Sequence, residues 1–119
     1  MTEKLYTARH RHATLTARKG RLAVDMIRGL EVNKAMDILQ FSPKRSAAFV
    51  LKVLKSATAN AAQDENVNVN NLYVKECRSD TGSSRGRKRW RPGPQGRAMP
   101  YTKRTSHLTV VVAERGEQE

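Results

Sequence analysis

The sequence is poor in cysteine and in aromatic residues, and it has no long apolar run. Its 119 residues include one cysteine, one tryptophan, three tyrosines and two phenylalanines. The single thiol, Cys77, cannot close an internal disulfide and has no second cysteine with which to hold zinc. The missing apolar run excludes a transmembrane helix, and the opening MTEKLYTARHRH lacks the apolar core of a secretory signal. We expect one domain in the cytoplasm or an equivalent compartment, with no membrane partner.

Catalytic and metal-binding motifs are missing as well. The carboxylates are scattered along the chain, and there is no P-loop, GxGxxG or HExxH pattern. His10 and His12 stand among arginines, and neither they nor His107 have a thiol or carboxylate at metal-ligand spacing. The sequence therefore predicts no enzymatic activity, no cofactor and no metal site.

What the chain has in excess is positive charge. Lysine and arginine number 23 against 11 aspartates and glutamates, which gives a formal net charge of +12. Nine of the basic residues but only one acid lie between residues 78 and 104, so a near-neutral body carries a basic segment. Charge of this size repels itself unless a polyanion neutralises it. We predict nucleic acid as that partner, in preference to an anionic membrane surface.

Hydrophobic periodicity divides the chain into strands and helices. Thr16 is a suitable N-cap for a first helix, on which Leu22 and its apolar neighbours share one side, and Gly29 is a suitable stop. Ser42 as N-cap with Pro43 at the first helical position favours the start of a third helix. The predicted elements are a strand near residues 5–10, helices over 17–28, 33–40 and 43–63, and strands over 72–77 and 105–114.

The segment between the last two strands contains RGRKRWRPGPQGRAMP, residues 85–100. Its glycines and prolines oppose a helix, so the segment leaves the body and returns if the flanking strands pair antiparallel. Roughly twelve residues in each direction reach up to ~40 Å. Its arginines can donate to phosphates, and Trp90 and Tyr101 offer faces that stack on unpaired bases. An unstructured, non-specific basic tail is the alternative, although both ends of this segment are fixed by strands.

Five motifs, in chain order and at their spacing, resemble one protein family. They are MIRG (26–29), KVLKSATANA (52–61), NLYVKE (71–76), GRA (96–98) and KRTSHLTVVVAE (103–114). On these residues the chain resembles the bacterial-type large-subunit ribosomal protein family number twenty-two over nearly its whole length. The resemblance implies an α+β fold, with three helices packed on a small antiparallel sheet and a long protruding β-hairpin.

The resemblance also implies a function. It indicates a non-enzymatic structural constituent of the large ribosomal subunit that binds large-subunit rRNA, assists its assembly and lines the nascent-peptide exit tunnel with its hairpin. A single RNA-binding domain over residues 1–119 then contains the hairpin, residues 79–102, which we call the arm. The implied partners are several domains of that rRNA, neighbouring large-subunit proteins and the nascent peptide at the arm tip, without a homo-oligomer. The implied location is the cytoplasmic ribosome, or an organellar one if the chain is plastid-encoded.

Candidate contact residues follow from the charge pattern and from the resemblance together. The predicted RNA-binding residues are Arg9, Arg11, Arg18, Lys19, Arg21, Arg28, Lys44, Arg45, Lys52, Arg78, Arg85, Arg87, Lys88, Arg89, Trp90, Arg91, Arg97, Tyr101, Lys103, Arg104, Thr105, Ser106 and His107. The predicted tunnel tip is Arg91, Pro92, Gly93, Pro94, Gln95, Gly96 and Arg97. The tip departs from the family, which typically has Arg-Ala after the first proline, so one cation is missing here. Thr16 and Ala17 also stand where the family usually has Ser-Pro.

Two other functions fit parts of the pattern. A free nucleic-acid chaperone or DNA-coating protein needs only the charge, and would bind generic duplex DNA as well as structured rRNA. An RNA-processing enzyme would need an acidic residue on which turnover depends.

Overall fold

The computed structural model describes residues 4–83 and 88–114. Three α-helices and five strands are formed in this part of the chain. In chain order they are β1 (Leu5–Ala13), α1 (Ala17–Ile27), α2 (Val32–Gln40), α3 (Arg45–Ala62), β2 (Leu72–Thr81), β3 (Lys88–Pro92), β4 (Ala98–Thr102) and β5 (Ser106–Glu114). The predicted α+β fold with three helices and antiparallel sheet is confirmed.

The body is built on a three-stranded antiparallel sheet in the order β1-β5-β2. Leu108, Val110 and Val112 alternate along β5 and are fully buried on the inner face, where the helices pack. On α3, Val50, Leu54, Ala57 and Ala61 line this core, as the helical periodicity predicts. The other side of the sheet, which we call the outer sheet face, points away from the helices.

Hydrogen bonds at the end of the sheet away from the arm fix the start of β1. The Tyr6 hydroxyl donates to the Asp64 carboxylate at 2.8 Å, and Lys4 Nζ donates to the same oxygen at 3.1 Å. The Asn66 amide adds a third hydrogen bond, to the other carboxylate oxygen, at 3.0 Å. The Tyr6 bond first, and then the Asn66 and Lys4 bonds, lower the pKa of Asp64 to about 2.

The predicted start of the third helix is wrong by two residues. α3 begins at Arg45, with Lys44 as its N-cap and no side-chain capping bond. The Ser42 hydroxyl instead accepts a hydrogen bond from the Lys44 amide at 3.3 Å, which forms a turn before the helix. The α1 boundaries agree better: the Thr16 hydroxyl accepts from the Lys19 amide at 3.4 Å, and Gly29 follows the helix at φ +81°.

Strands β2 and β5 carry the chain from the body into the arm. Their antiparallel pairing continues to Thr81 and Ser106, and the Gly82 amide then donates to the Thr105 carbonyl at 2.9 Å. β2 is therefore longer than the predicted strand over 72–77. Beyond it, β3 pairs with β4 as a separate two-stranded ladder, and Pro94–Gly96 forms the turn at its end. The molecule measures 69 × 26 × 19 Å, so its long axis is more than twice either other extent.

None of the described helices has the length and apolar character needed to cross a membrane. Among residues 4–83 and 88–114, His, Cys, Asp and Glu side chains also form no group of three or more that could hold a metal ion.

Candidate nucleic-acid interface

The arm presents two different faces, because directly opposed residues of an antiparallel pair project to the same side. Arg89 lies opposite Tyr101, and Arg91 lies opposite Met99; we call this side the Tyr101 face. The other side, the Trp90 face, carries the pairs Lys88 with Thr102, Trp90 with Pro100, and Pro92 with Ala98. Each face therefore combines one aromatic ring with at least one cation.

On the Tyr101 face, cations lie against the aromatic ring. The Arg91 guanidinium carbon is 4.5 Å from the ring centroid, and Lys103 Nζ is 5.9 Å from it. Such cation–π contacts hold the cations beside the ring and keep their donor groups available at its rim. The pair can thus offer a flat surface and phosphate donors together.

On the Trp90 face, the indole is 60% exposed although tryptophan is among the costliest side chains to leave in water. Lys88 Nζ lies 5.0 Å from the ring centroid, and Pro100 is directly opposite across the strands. An exposed indole flanked by a cation is typical of a platform on which a nucleic-acid base stacks.

The outer sheet face carries a second cationic group, at the root of the arm. Arg9, Thr109 and Arg78 are aligned in one row across the three strands. With Arg11 and His107 they surround a shallow depression of about 470 Å³. Arg78 is held there between two carboxylates, 2.6 Å from Glu76 and 3.3 Å from Asp80. The charge of this group is therefore partly compensated, unlike that of the arm.

His107 has a fixed orientation in this depression. The His12 amide, in a residue at φ +58°, donates to His107 Nδ1 at 3.1 Å, and the two rings meet edge to face at 4.8 Å. Because Nδ1 accepts, a neutral His107 carries its proton on Nε2 as a donor. Spacing along the sequence gives no indication of this pair, since it depends on a bulge in β1 between His10 and Ala13.

On α1, two of the predicted contact residues also support the fold. Arg21 Nε donates to the Ser79 carbonyl at 3.2 Å, and Arg28 donates to Asp25 at 2.7 Å and to the Cys77 carbonyl at 2.9 Å. The hydrogen bond with Asp25 is the main cause of the raised pKa of Arg28. Both arginines therefore attach α1 to β2 and remain exposed at the surface.

A cleft opens where the arm meets the body. It has a volume of about 550 Å³ and lies between the starts of α1 and α3 on one side and the arm with its return to β5 on the other. Cations of both parts converge on it, and none of the described residues that line it is acidic. The cations are Lys19, Lys44, Arg45, Arg91, Lys103 and Arg104. Leu22, predicted to face the core, lines this cleft and is 50% exposed.

Three predicted contact residues lie inside the structure wholly or in part. Thr105 is buried and its hydroxyl donates to the Ser83 carbonyl at 2.7 Å, and Ser106 is fully buried. The Thr105 hydroxyl is therefore used within the fold, and the Ser106 hydroxyl is buried without a hydrogen-bond partner among the described residues, whereas His107 is partly exposed. Cys77 is likewise buried, and its thiol donates to the Val24 carbonyl at 3.2 Å.

The remaining predicted residues lie at the surface. Arg18 and Lys52 are exposed on α1 and α3, Arg97 is exposed at the arm tip, and Lys103 and Arg104 are exposed at the return to β5. Arg85 and Arg87 lie outside the described residues.

These features define a class of protein: a small, strongly basic α+β body with a protruding hairpin whose exposed surface suits a polyanion. The family model for ribosomal protein L22p/L17e matches residues 8–113. The chain is 49% identical over 112 residues to the large ribosomal subunit protein uL22 of Caldicellulosiruptor saccharolyticus, covering 94% of this chain and 90% of that protein. It is 46% identical over 105 residues to the protein of the same name from Clostridium novyi, covering 88% and 93%.

The chain therefore belongs to the ribosomal protein L22p/L17e family. This confirms the resemblance found in its motifs. Members of the family are structural ribosomal proteins, so the chain is not an enzyme.

Proposed function

We propose that this chain is a structural constituent of the large ribosomal subunit that binds large-subunit rRNA, assists its assembly and lines the nascent-peptide exit tunnel with its arm. The names of its relatives from two bacteria support the large subunit as its location. Its partners are then several rRNA domains, neighbouring large-subunit proteins and, at the tip formed by residues 91–97, the nascent peptide. Its place in the cell is the ribosome of the cytoplasm.

The observation that carries this proposal is the composition of the described arm. Every residue of β3 is exposed, and no acidic residue occurs anywhere between Asp80 and Glu114. A two-stranded ribbon without a core of its own is only marginally stable in water. Cationic side chains on both faces stabilise the ribbon when phosphates surround it, which is the environment inside folded rRNA.

The body provides further cationic surface beside the arm. The cationic depression of the outer sheet face and the cleft have no lining residue in common. Two further cations are exposed on the helices, Arg18 on α1 and Lys52 on α3. A protein with cations on several sides can join separate RNA segments and thereby support assembly.

Association with the large subunit is tested by sucrose-gradient sedimentation of a tagged chain after a moderate salt wash. We expect the tagged chain to stay with the large subunit. Recovery in the free fraction, or equal affinity for duplex DNA and for structured rRNA in a binding assay, would contradict the proposal and favour a general nucleic-acid-coating protein.

The position of the tip is tested by photo-cross-linking in translating ribosomes. A photoreactive side chain at Gln95, in the turn, should cross-link to the nascent peptide, whereas the same group at Phe41 should not. Phe41 is a matched control because it is 80% exposed and lies in the body, directly after α2. Cross-links from Gln95 to rRNA alone would show that the arm does not reach the peptide.

A further inference from the structure

The cleft at the arm root has a cationic surface and an apolar surface side by side. One is cationic, with Lys19 and Lys44 on the body facing Arg91 on the arm. The other is apolar, with Leu22 and the Tyr101 ring. Leu22 is half exposed at a position where the helical periodicity predicts burial, and within the described chain no apolar element covers it. The cationic side chains favour an anion, and the exposed Leu22 side chain favours an apolar partner.

The start of α3 adds hydrogen-bond donors to the cationic side. Lys44 provides no side-chain cap, and the Ala47 amide donates to the Lys44 carbonyl at 3.1 Å, so the Arg45 and Ser46 amides are the ones directed out of the N-terminus of this 18-residue helix. Ser46 lines the cleft and is only 6% exposed, and its hydroxyl has no hydrogen-bond partner among the described residues. Its position beside a helix N-terminus and several cations suits a phosphate oxygen.

The dimensions of the cleft limit what it can hold. Its volume of about 550 Å³ lies within the ~300–1,000 Å³ of sites that take one small organic molecule. A double helix cannot enter such a space, whereas one nucleotide displaced from a helix can.

We propose that this cleft is a binding site for a single unpaired nucleotide of RNA. Its phosphate binds at the start of α3 with Ser46, Lys44 and Lys19, and its base packs against Leu22 and the Tyr101 ring. The site rests on the proposed function, because it takes its nucleotide from bound RNA. Since it is formed by body and arm together, the nucleotide also fixes the arm relative to the body.

The test compares two RNA stem-loops that differ by one bulged adenosine. The full chain should bind the bulged stem-loop about tenfold more tightly than the fully paired one, because stacking of a base is worth ~1–3 kcal/mol. Leu22→Ala should remove most of this preference and leave affinity for the paired stem-loop unchanged. Phe41→Ala, an exposed apolar change directly after α2 and outside the cleft, is the matched control and should preserve the preference.

A second variant tests the phosphate contact. Ser46→Ala should weaken binding of the bulged stem-loop about fivefold without changing the melting temperature, because it removes one hydrogen bond to a charged group and no internal bond. In addition, 4-thiouridine at the bulge should cross-link to peptides that contain Leu22 or Tyr101.

The outcomes separate this site from the wider function. Failure of the chain to bind either stem-loop contradicts both proposals. Equal binding of the two stem-loops with no effect of Leu22→Ala, or cross-linking of the bulge to Trp90 alone, overturns the nucleotide site and leaves rRNA binding in place.

Discussion

Gly20 of α1 lies directly against Ser79 of β2, so closely that a side chain at position 20 would overlap the serine hydroxyl. That hydroxyl is itself engaged, since it donates to the Ala17 carbonyl at 3.1 Å. The Ser79 carbonyl accepts from Arg21 Nε at 3.2 Å. Close packing and two hydrogen bonds with one turn of α1 therefore hold Ser79, the residue at which the arm begins, in place.

Gly20→Ala is expected to destabilise the protein, although alanine is the better helix former. A Cβ would displace the Ser79 hydroxyl and press on Leu108, and overpacking of this kind costs ~1–3 kcal/mol against a helix-propensity gain of up to ~1 kcal/mol. Urea unfolding followed by circular dichroism measures the change. The double variant Gly20→Ala with Ser79→Ala should recover part of the loss, and a Gly20→Ala protein at least as stable as the natural one would show that the helix simply shifts.

Acid should weaken the hydrogen bonds around Asp64 over a defined pH range. The pKa of Asp64 in the folded chain is about 2 against an ordinary 3.8, so its ionised form is favoured by folding. The stabilisation is then complete above about pH 4 and is lost as the pH falls towards 2.

Tyr6→Phe removes the largest cause of this shift. The difference in free energy of unfolding between the natural chain and Tyr6→Phe should be greatest at neutral pH and should shrink between pH 4 and 2. Tyr101→Phe, the same change on the arm, should show no such dependence. A Tyr6→Phe difference that is constant with pH would mean that the hydroxyl does not act through Asp64.

Neutralising the arm should change the salt dependence of RNA binding. Arg89→Gln and Arg91→Gln each remove one cation of the Tyr101 face, so each should lower the slope of log affinity against log salt concentration by about 1. Lys34→Gln, an exposed change on α2, should leave the slope unchanged. Equal slopes for all three variants would place the arm outside the RNA contact.

Trp90 provides its own optical signal, since it is the one tryptophan of the sequence. In the free chain its fluorescence should be quenched readily by acrylamide because the indole is 60% exposed, and RNA should protect it. Trp90→Ala should weaken RNA binding about tenfold and Trp90→Phe much less, because stacking needs an aromatic face. Met99→Ala on the opposite face is the control, and equal losses from alanine and phenylalanine at position 90 would argue against stacking.

The sequence is sufficient to predict those features that depend on local chemistry. Thr16 caps α1 through its own hydroxyl, the apolar stripe of α3 follows one helix period, and β1 alternates as Tyr6 and Ala8 face inward. Each of these patterns depends only on a few neighbouring residues, so the structure predicted from the pattern is the one found in the folded chain.

Features that depend on the meeting of distant segments are not predictable in this way. Residues 78–81 look like a loop because they are polar, yet β5 pairs with them and extends β2. Leu22 has the right period for the core, but periodicity does not say whether another element covers it. The cleft and the His12–His107 pair arise from segments far apart in sequence, and for that reason no motif indicates them.

The strand order β1-β5-β2 has a consequence for the order of events during synthesis. β5 is the last of these strands to be made, yet it lies between the other two and provides every hydrogen bond that joins them. The helices and both halves of the arm are therefore complete before the sheet can close. Until β5 arrives, the backbone edges of β1 and β2 that pair with it have no partner, and such unpaired edges favour aggregation or an early binding partner. During synthesis, the basic arm and the open sheet are therefore both exposed until β5 is made. Pairing of β5 with β1 and β2 then closes the sheet and attaches the arm to a folded body.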